Sequence, residues 1–551
     1  MFRLFAPFLL LCGLVPFARE HRAAASGDEV VRVFVFAGQS NMVGSDSKVA
    51  DIERFPPFAG LGEPQEDVRF RYVIGREDKR ASDGWVELEP VNGVVGPELS
   101  FARKVAERVD APIAVIKVAA GGTHLGGDWN PDDPQGFELF PLLVETVRDA
   151  LADLDEARVD YRLEGFMWHQ GENDMFEDAY RENYGANLAN FMGRVREELE
   201  APDLRFYVGE LCTKTVWGMD LREWMDAIAR GQKAATAEDP LAQYVPTSHV
   251  GVEIGGGEGL HYHYGTLGQL QHGVNYADAY LERIGLGDGP LEPLASWPHR
   301  RGKTVQLFVL AGHRNMEGER AFVQELRELK GGRSLARSND DVPLRFSVGG
   351  GVHTSPGWVA LAPLGLYDTF GPEVSFGAEL ERRIKDPIAL AKFTHSGSQI
   401  VDWTPEGSVA VARNLYPDFI AFVRESMAAV EAEGNRVELA GIVYHLGEND
   451  MSYHPFRREA AARLAAFVRQ SREDLELPEL RWFVSQQRPT AHESVDGVDV
   501  VADVAAFAAQ DEHTHHLLAF DPPPQEKQLV LDTAGVVWLG EWLAEQVLEL
   551  R

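Results

Sequence analysis

Ser40 stands in the run FVFAGQSNMVG at 34–44, where an apolar stretch gives way to a glycine-bounded turn. A serine so placed can lift its hydroxyl above the end of a strand, and it is a nucleophile only where a base takes its proton. Taken alone it reads equally well as a turn serine bonded to local backbone. Two candidate bases occur in GGGEGLHYHYGTLGQLQHG at 255–273, where Glu258 stands three residues before His261 and His263 follows two residues later. Gly121-Gly122, in KVAAGGTHL at 117–125, either turns bare backbone N–H groups toward a developing oxyanion or simply makes a tight turn. WHQGENDM at 168–175 crowds His169, Gln170, Glu172, Asn173 and Asp174 into one polar cluster. Nucleophile, base and N–H donors are the parts of acyl transfer through a covalent intermediate, and no step of it requires a metal or other cofactor.

Residues so far apart in sequence need a scaffold to bring them together. Short apolar runs at 30–37, 112–119, 163–169 and 204–211 alternate with amphipathic stretches at 97–109, 140–154, 179–199 and 269–284. Alternating strands and helices predict an α/β domain with a mostly parallel sheet covered on both faces, because right-handed crossovers carry the helices there. In such sheets the site lies beyond the carboxyl ends of the strands, where each of the polar blocks falls.

The whole unit is written twice. FVLAGHRNMEG at 308–318 repeats the serine-bearing run, and GWVALAPLGLYDTFGPEVSF at 357–376 repeats GWVELEPVNGVVGPELSF at 84–101. APIAVIKVA at 111–119 returns as DPIALAKFT at 386–394, HQGENDM at 169–175 as HLGENDM at 445–451, and DLRFYVGEL at 203–211 as ELRWFVSQQ at 479–487. The offset holds at 275–276 residues from Gly96/Gly371 to Leu204/Leu480, which is a domain duplication rather than a solenoid of short repeats. Residues 28–285 form the first domain and 303–551 the second, joined by the aperiodic, Gly- and Pro-containing linker 286–302.

With GQSNM at 38–42, GG at 121–122, QGEND at 170–174 and GLHY at 259–262 in this order, the chain resembles the SGNH hydrolase superfamily. It is most similar there to the sialate O-acetylesterase and acetylxylan esterase-like group, carbohydrate esterase family 6. The resemblance covers 28–285 and, weakened, 303–551. It implies two tandem flavodoxin-like three-layer α/β/α domains and a serine esterase that removes O-acetyl groups from carbohydrate. It further implies Ser40 as nucleophile, His261 as general base, and Glu258 in the place of the acid that orients the ring. The oxyanion hole it implies comprises the Ser40 and Gly121 N–H groups with the side chain of Gln170 or Asn173. The histidine-to-glycine spacing of some relatives, counted back from Gly273, would select His263 as base instead, leaving Leu260 where the acid should be; the carboxylate spacing selects His261. Two other readings stand beside this one: an esterase or lipase acting on another small ester, and a glycan-binding protein built from two degenerate hydrolase domains.

The second copy serves as an internal control. Arg314 replaces Ser40, His313 replaces Gln39, Ser396 replaces Gly121 and Leu446 replaces Gln170, and its last block, QLVLDTAGVVWLGEWL, has no histidine. Gly-Glu-Asn-Asp-Met, Gly-Pro-Glu and the pairs Trp85/Trp358 and Trp129/Trp403 persist. The lost residues are those the chemistry needs, which favours Gln170 over Asn173 as the oxyanion side chain and assigns Gln39 to the chemistry of its loop. The second domain then reads as catalytically inactive. HTHH at 513–516 sits in a strand-like run without a second ligand cluster, so no metal site is expected there.

The 551 residues carry a formal charge of −33, which repels nucleic acid and anionic lipid. Arg3, the apolar stretch Phe5–Phe17 and the small residues Ala23-Ala24-Ala25-Ser26 have the layout of a cleaved export signal over 1–26. The expected location is secreted or periplasmic, with no membrane attachment after cleavage. Of the two cysteines, Cys12 leaves with the signal, so Cys212 has no intrachain disulfide partner.

Overall fold

In the first strand Val31, Val33, Val35 and Ala37 point to one side of the sheet and Phe34 and Phe36 to the other, and both sets are buried. An apolar run buried on both faces is what a central parallel strand requires. The structure is a computed structural model, and it describes residues 30–211, 215–216, 219–250, 263–410, 413–451, 455–489, 497–519, 521–524 and 529–551.

The first domain contains β1 (Val31–Gly38), α1 (Ser40–Val43), β2 (Gln65–Ile74), β3 (Arg80–Ala81), β4 (Val86–Leu88), α2 (Glu98–Arg108), β5 (Ile113–Ala119) and α3 (Leu139–Glu156). It continues with β6 (Tyr161–His169), α4 (Asp178–Glu182), α5 (Tyr184–Glu198), β7 (Arg205–Gly209), the ribbon β8 (Thr215–Val216) and β9 (Met219–Asp220), α6 (Arg222–Glu238), β10 (Ala242–Val245) and α7 (Gly265–Arg283). The sheet order is β10-β7-β6-β1-β5-β2-β3, with β4 on β2. Pairings from β10 through β2 are parallel, and β3 and β4 are antiparallel to β2. Helices α3, α5 and α6 cover the valine face of β1, and α2 and α7 cover the phenylalanine face. This is the expected three-layer α/β/α domain.

The second domain repeats it with β11 (Thr304–Gly312), α8 (Arg314–Glu317), α9 (Val323–Leu326), α10 (Gly332–Leu335), β12 (Asn339–Val348), β13 (His353–Thr354), β14 (Val359–Leu361), α11 (Glu373–Arg383), β15 (Ile388–Thr394) and α12 (Tyr416–Ala432). After these come β16 (Arg436–His445), α13 (Glu448–Met451), α14 (Ala460–Asp474), β17 (Trp482–Gln486), α15 (Val500–Ala508), β18 (Thr514–Leu518) and α16 (Thr533–Leu550). Its order, β13-β12-β15-β11-β16-β17-β18 with β14 on β12, follows the first sheet position for position. His515 and His516 of the HTHH run lie in β18, stacked on Phe483 and 2.7 Å from Gln486 Oε1 respectively.

Two expected elements differ in detail. The helix expected over 179–199 is two helices, because Asn183 leaves helical geometry (φ −100°, ψ 8°) between α4 and α5. The last helix of the first domain starts at Gly265 rather than 269, since residues 264 and 266 are already held by the serine loop. The domains meet through Phe322, which packs into the first domain's core beside Phe55, and Ala410, which reaches its opposite core. No described helix is long and apolar enough to cross a membrane.

Candidate active site

β1 ends against β6 so closely that a Cβ on Gly38 would fall 2.0 Å from the His169 carbonyl, at a φ of +152° that side chains rarely adopt. The chain then turns through Gln39 into the single turn α1, which opens with Ser40 and closes on Gly44 in left-handed geometry. Ser40 is 8% exposed, at the carboxyl end of the central strand. The loop after β5 brings Gly121 alongside, where a Cβ would stand 3.5 Å from that of Ser40. The loop after β6 supplies Asn173, whose Oδ1 accepts from Gln39 Nε2 at 3.3 Å. Three strand ends therefore converge on Ser40.

Among the described residues the donors around Ser40 are unspent: neither the Ser40 N–H, the Gly121 N–H nor the Asn173 Nδ2 amide makes a hydrogen bond. Each counterpart in the second domain is occupied. The Arg314 N–H donates to Glu448 Oε2 at 3.1 Å, the Ser396 N–H to Glu317 Oε2 at 3.0 Å, and Asn449 Nδ2 to the carbonyls of Ser398 at 2.8 Å and Ser396 at 3.2 Å. The Arg314 guanidinium, 1% exposed, is itself tied to Glu319. Ser40 is buried and Gly121 and Asn173 are half-buried, so three donors without a protein partner among the described residues converge where an acceptor from outside can reach them.

The expectation that Gln170 rather than Asn173 donates to the oxyanion does not fit this geometry. Gln170 is fully buried; its Nε2 donates to Gln39 Oε1 at 3.0 Å, the Thr123 carbonyl at 2.9 Å and Asp174 Oδ2, while its Oε1 accepts from Tyr184. No hydrogen of that amide remains for a ligand. Gln39 and Gln170 change together in the second copy because they are bonded to each other: His313 there turns instead to Tyr444 and Ser398. Gln39 thus shapes the loop, its Oε1 also receiving the Gly171 N–H at 3.2 Å.

Several of the residues kept in both copies make the same structural contacts in each. Asp174 clamps the N–H groups of Leu125 and Gly126, and Asp450 clamps that of Ile400. Lys117–Glu98 at 2.7 Å and Lys392–Glu373 at 2.8 Å are buried ion pairs under the two loops. Burial lowers the Lys117 ammonium and the Glu98 charge opposes it. Trp129 and Trp403 donate to Thr123 Oγ1 and Ser398 Oγ. His169 lies beneath the loop with His272, ring centroids 4.7 Å apart. Burial, with the neighbouring His169, pushes His272 well below the usual imidazole range, so it is a neutral core residue. Burial raises the Glu172 carboxyl, but His169 and the Asn41 amide outweigh it and keep it below the usual range.

Glu258 and His261 lie outside the described residues. His263 is described, and its Nδ1 stands 2.7 Å from Asp46 Oδ2 in the loop that follows α1. The adjoining backbone is stitched to the same loop: the Tyr264 N–H donates to Asn41 Oδ1 at 3.2 Å, and Thr266 Oγ1 accepts from the Lys48 N–H at 2.8 Å. In the second domain the Leu531 N–H donates to Asn315 Oδ1 at 2.8 Å, which makes Val530 the counterpart of His263. Asp46 escaped the motif reading; the signal available was Arg320 at its place in the second copy, a loss parallel to that of Ser40.

A doubled α/β sheet with a serine at the end of its central strand and open donors around it defines the SGNH-like esterase class. The chain belongs to the family described as carbohydrate esterase, sialic acid-specific acetylesterase, whose model matches residues 30–282 and again 304–549. Among curated proteins it is 25% identical over 186 residues to the "Probable carbohydrate esterase At4g34215" of Arabidopsis thaliana, a match spanning 31% of this chain and 66% of that protein. Similar solved structures include that same Arabidopsis protein (21% identity, TM-score 0.34, 46% of this chain and 98% of that one). They also include NanS (15%, 0.36, 47% and 98%) and XAC1771 of Xanthomonas citri, titled a novel carbohydrate acetylesterase (18%, 0.34, 46% and 56%).

Proposed function

We propose that the protein is a serine esterase that removes O-acetyl groups from carbohydrate through an acyl-enzyme, with the first domain catalytic and the second inactive. The observation that carries this is the set of three donors around Ser40 that are unspent among the described residues, their counterparts around Arg314 each being spent on the protein's own groups. In this reading the Ser40 hydroxyl attacks the acetyl carbonyl, and the Ser40 and Gly121 N–H groups with Asn173 Nδ2 receive the oxyanion. An imidazole takes the serine proton and returns it to the departing sugar oxygen; water then repeats the sequence to release acetate.

We assign the base to His263, oriented by Asp46, ahead of the His261–Glu258 pairing. Support comes from the 2.7 Å contact and from the loss of both positions in the inactive copy, to Val530 and Arg320. The reading of residues 1–26 as an export signal places the activity outside the cytoplasm, where acetylated glycans are met. The test is hydrolysis of 4-nitrophenyl acetate and acetate release from O-acetylated sialic acid and xylan, beside Ser40→Ala. A parent enzyme that releases no acetate, or an Ser40→Ala variant as active as the parent, overturns the proposal.

A further inference from the structure

We infer that the second domain has exchanged substrate binding for a grip on the first, and that its Tyr367 is a positioning residue for His263; this rests on the esterase reading above. The loops that would rim a substrate cleft in the second domain, after β12 and β15, instead meet the Ser248-His249 turn of the first. A Cβ on Gly397 would fall 1.8 Å from the Ser248 carbonyl, and one on Gly349 would fall 3.0 Å from His249 Cβ. Gly397 follows Ser396, the counterpart of the oxyanion glycine, so the former catalytic face is now an internal contact.

Tyr367 completes the grip. Its hydroxyl donates to Asn275 Oδ1 of α7 at 2.6 Å and lies 2.8 Å from His249 Nε2, the rings parallel within 6°. Since the single hydroxyl proton goes to Asn275, His249 Nε2–H is the donor to Tyr367, which fixes the tautomer. Burial pushes His249 down to about 4, so it stays neutral in that role. The backbone supports a purpose for this residue. Tyr367 and Asp368 both hold left-handed φ, +57° and +56°, where the first copy has Asn92-Gly93 at +62° and +73°. Asn-Gly suits such a turn, whereas tyrosine is strained in it, and strain of this kind persists where other contacts hold it.

The held turn leads directly to the base. Thr247 Oγ1 is 2.9 Å from Tyr264 Oη, and Val250 packs on the Tyr264 side chain, next in sequence to His263. His263 is thus fixed from two sides, by Asp46 and Asn41 on the serine loop and by Tyr367 through the 247–250 turn. Small displacements of a general base lower turnover without weakening substrate binding.

The experiment is steady-state hydrolysis of 4-nitrophenyl acetate by the full chain carrying Tyr367→Phe, His249→Ala or His249→Gln, with melting temperatures measured alongside. Tyr367→Phe and His249→Ala are expected to lower kcat about 10-fold with KM within about 2-fold. His249→Gln, whose amide can still donate to the Tyr367 hydroxyl, is expected to keep most of kcat. The double change Tyr367→Phe with His249→Ala should be no worse than either alone. Unchanged kcat in Tyr367→Phe, or a fall explained by the folded fraction lost, overturns the inference while leaving the esterase reading intact. An inactive parent overturns both.

Discussion

His263 Nδ1 and Asp46 Oδ2 are 2.7 Å apart although 217 residues separate them in sequence. Asp46 itself holds a left-handed φ of +62°, directly after the turn that carries Ser40. A carboxylate on Nδ1 keeps the proton there and leaves Nε2 to accept one from a serine. Asp46→Asn should lower kcat by up to about 10⁴ with little change in KM. His263→Ala should remove activity as Ser40→Ala does, while His261→Ala should retain it. If His261→Ala is the inactive variant, the base belongs to the Glu258 pairing instead.

Asn173 and Gln170 are both amides near Ser40, and their substitutions should fail in different ways. Asn173→Ala removes an open donor, so kcat should fall by about 10²–10³, near 3 kcal/mol of barrier, while the loss of one long bond from Gln39 Nε2 should lower the melting temperature less than Gln170→Ala does. Gln170→Ala strips partners from Gln39, Asp174 and Thr123 in a dry site and should cost about 1–3 kcal/mol of folding stability. Urea titrations beside kinetics separate the two.

Glu317 Oε2 receives the N–H groups of both Ser396, the counterpart of Gly121, and Gly349. Burial raises its carboxyl to about 7, against an ordinary value of 4.5. The folded chain therefore keeps a proton that the unfolded chain releases between these values. Its contribution to stability is complete below about 4.5 and is lost as pH rises through 7. Glu317→Gln, whose amide oxygen keeps both bonds, should be increasingly more stable than the parent from pH 5 to pH 8, by up to about 3 kcal/mol. A melting-temperature difference that stays flat across that range would show that Glu317 does not titrate there.

Lys117 and Glu98 are both nearly inaccessible, and each domain keeps the pair. Lys117→Met leaves the Glu98 carboxylate buried without its cation and should cost about 3–5 kcal/mol of stability. The equivalent Lys392→Met should do the same to the second domain, and calorimetry of the two variants shows whether the domains unfold together.

Arg314→Ser should generate no second active site. Glu317 still occupies the Ser396 N–H, Asn449 still caps the Ser398 carbonyl, and Val530 stands where a base is required. Hydrolysis by Ser40→Ala combined with Arg314→Ser should match that of Ser40→Ala alone.

The amino-acid pattern by itself determined the duplicated α/β architecture, because apolar runs such as 30–37 must be buried on both faces whatever they pack against. It also singled out Ser40 and Gly121, since a turn directly after a strand is encoded locally. How the amides of Gln170 and Asn173 are bonded was decided only by tertiary structure. Both are amides three residues apart, and which one keeps a free hydrogen depends on Gln39, Thr123 and Asp174 from other strand ends. Comparison of the copies could not show that Gln170 and Gln39, replaced together, are bonded to each other. Tyr367 was likewise invisible in sequence, and Asp46 showed only through its replacement by Arg320 in the second copy. The partners of Asp46 and Tyr367 are 217 and 118 residues away: the first pair meets only once the first domain has folded, and the second only once the two domains have packed together.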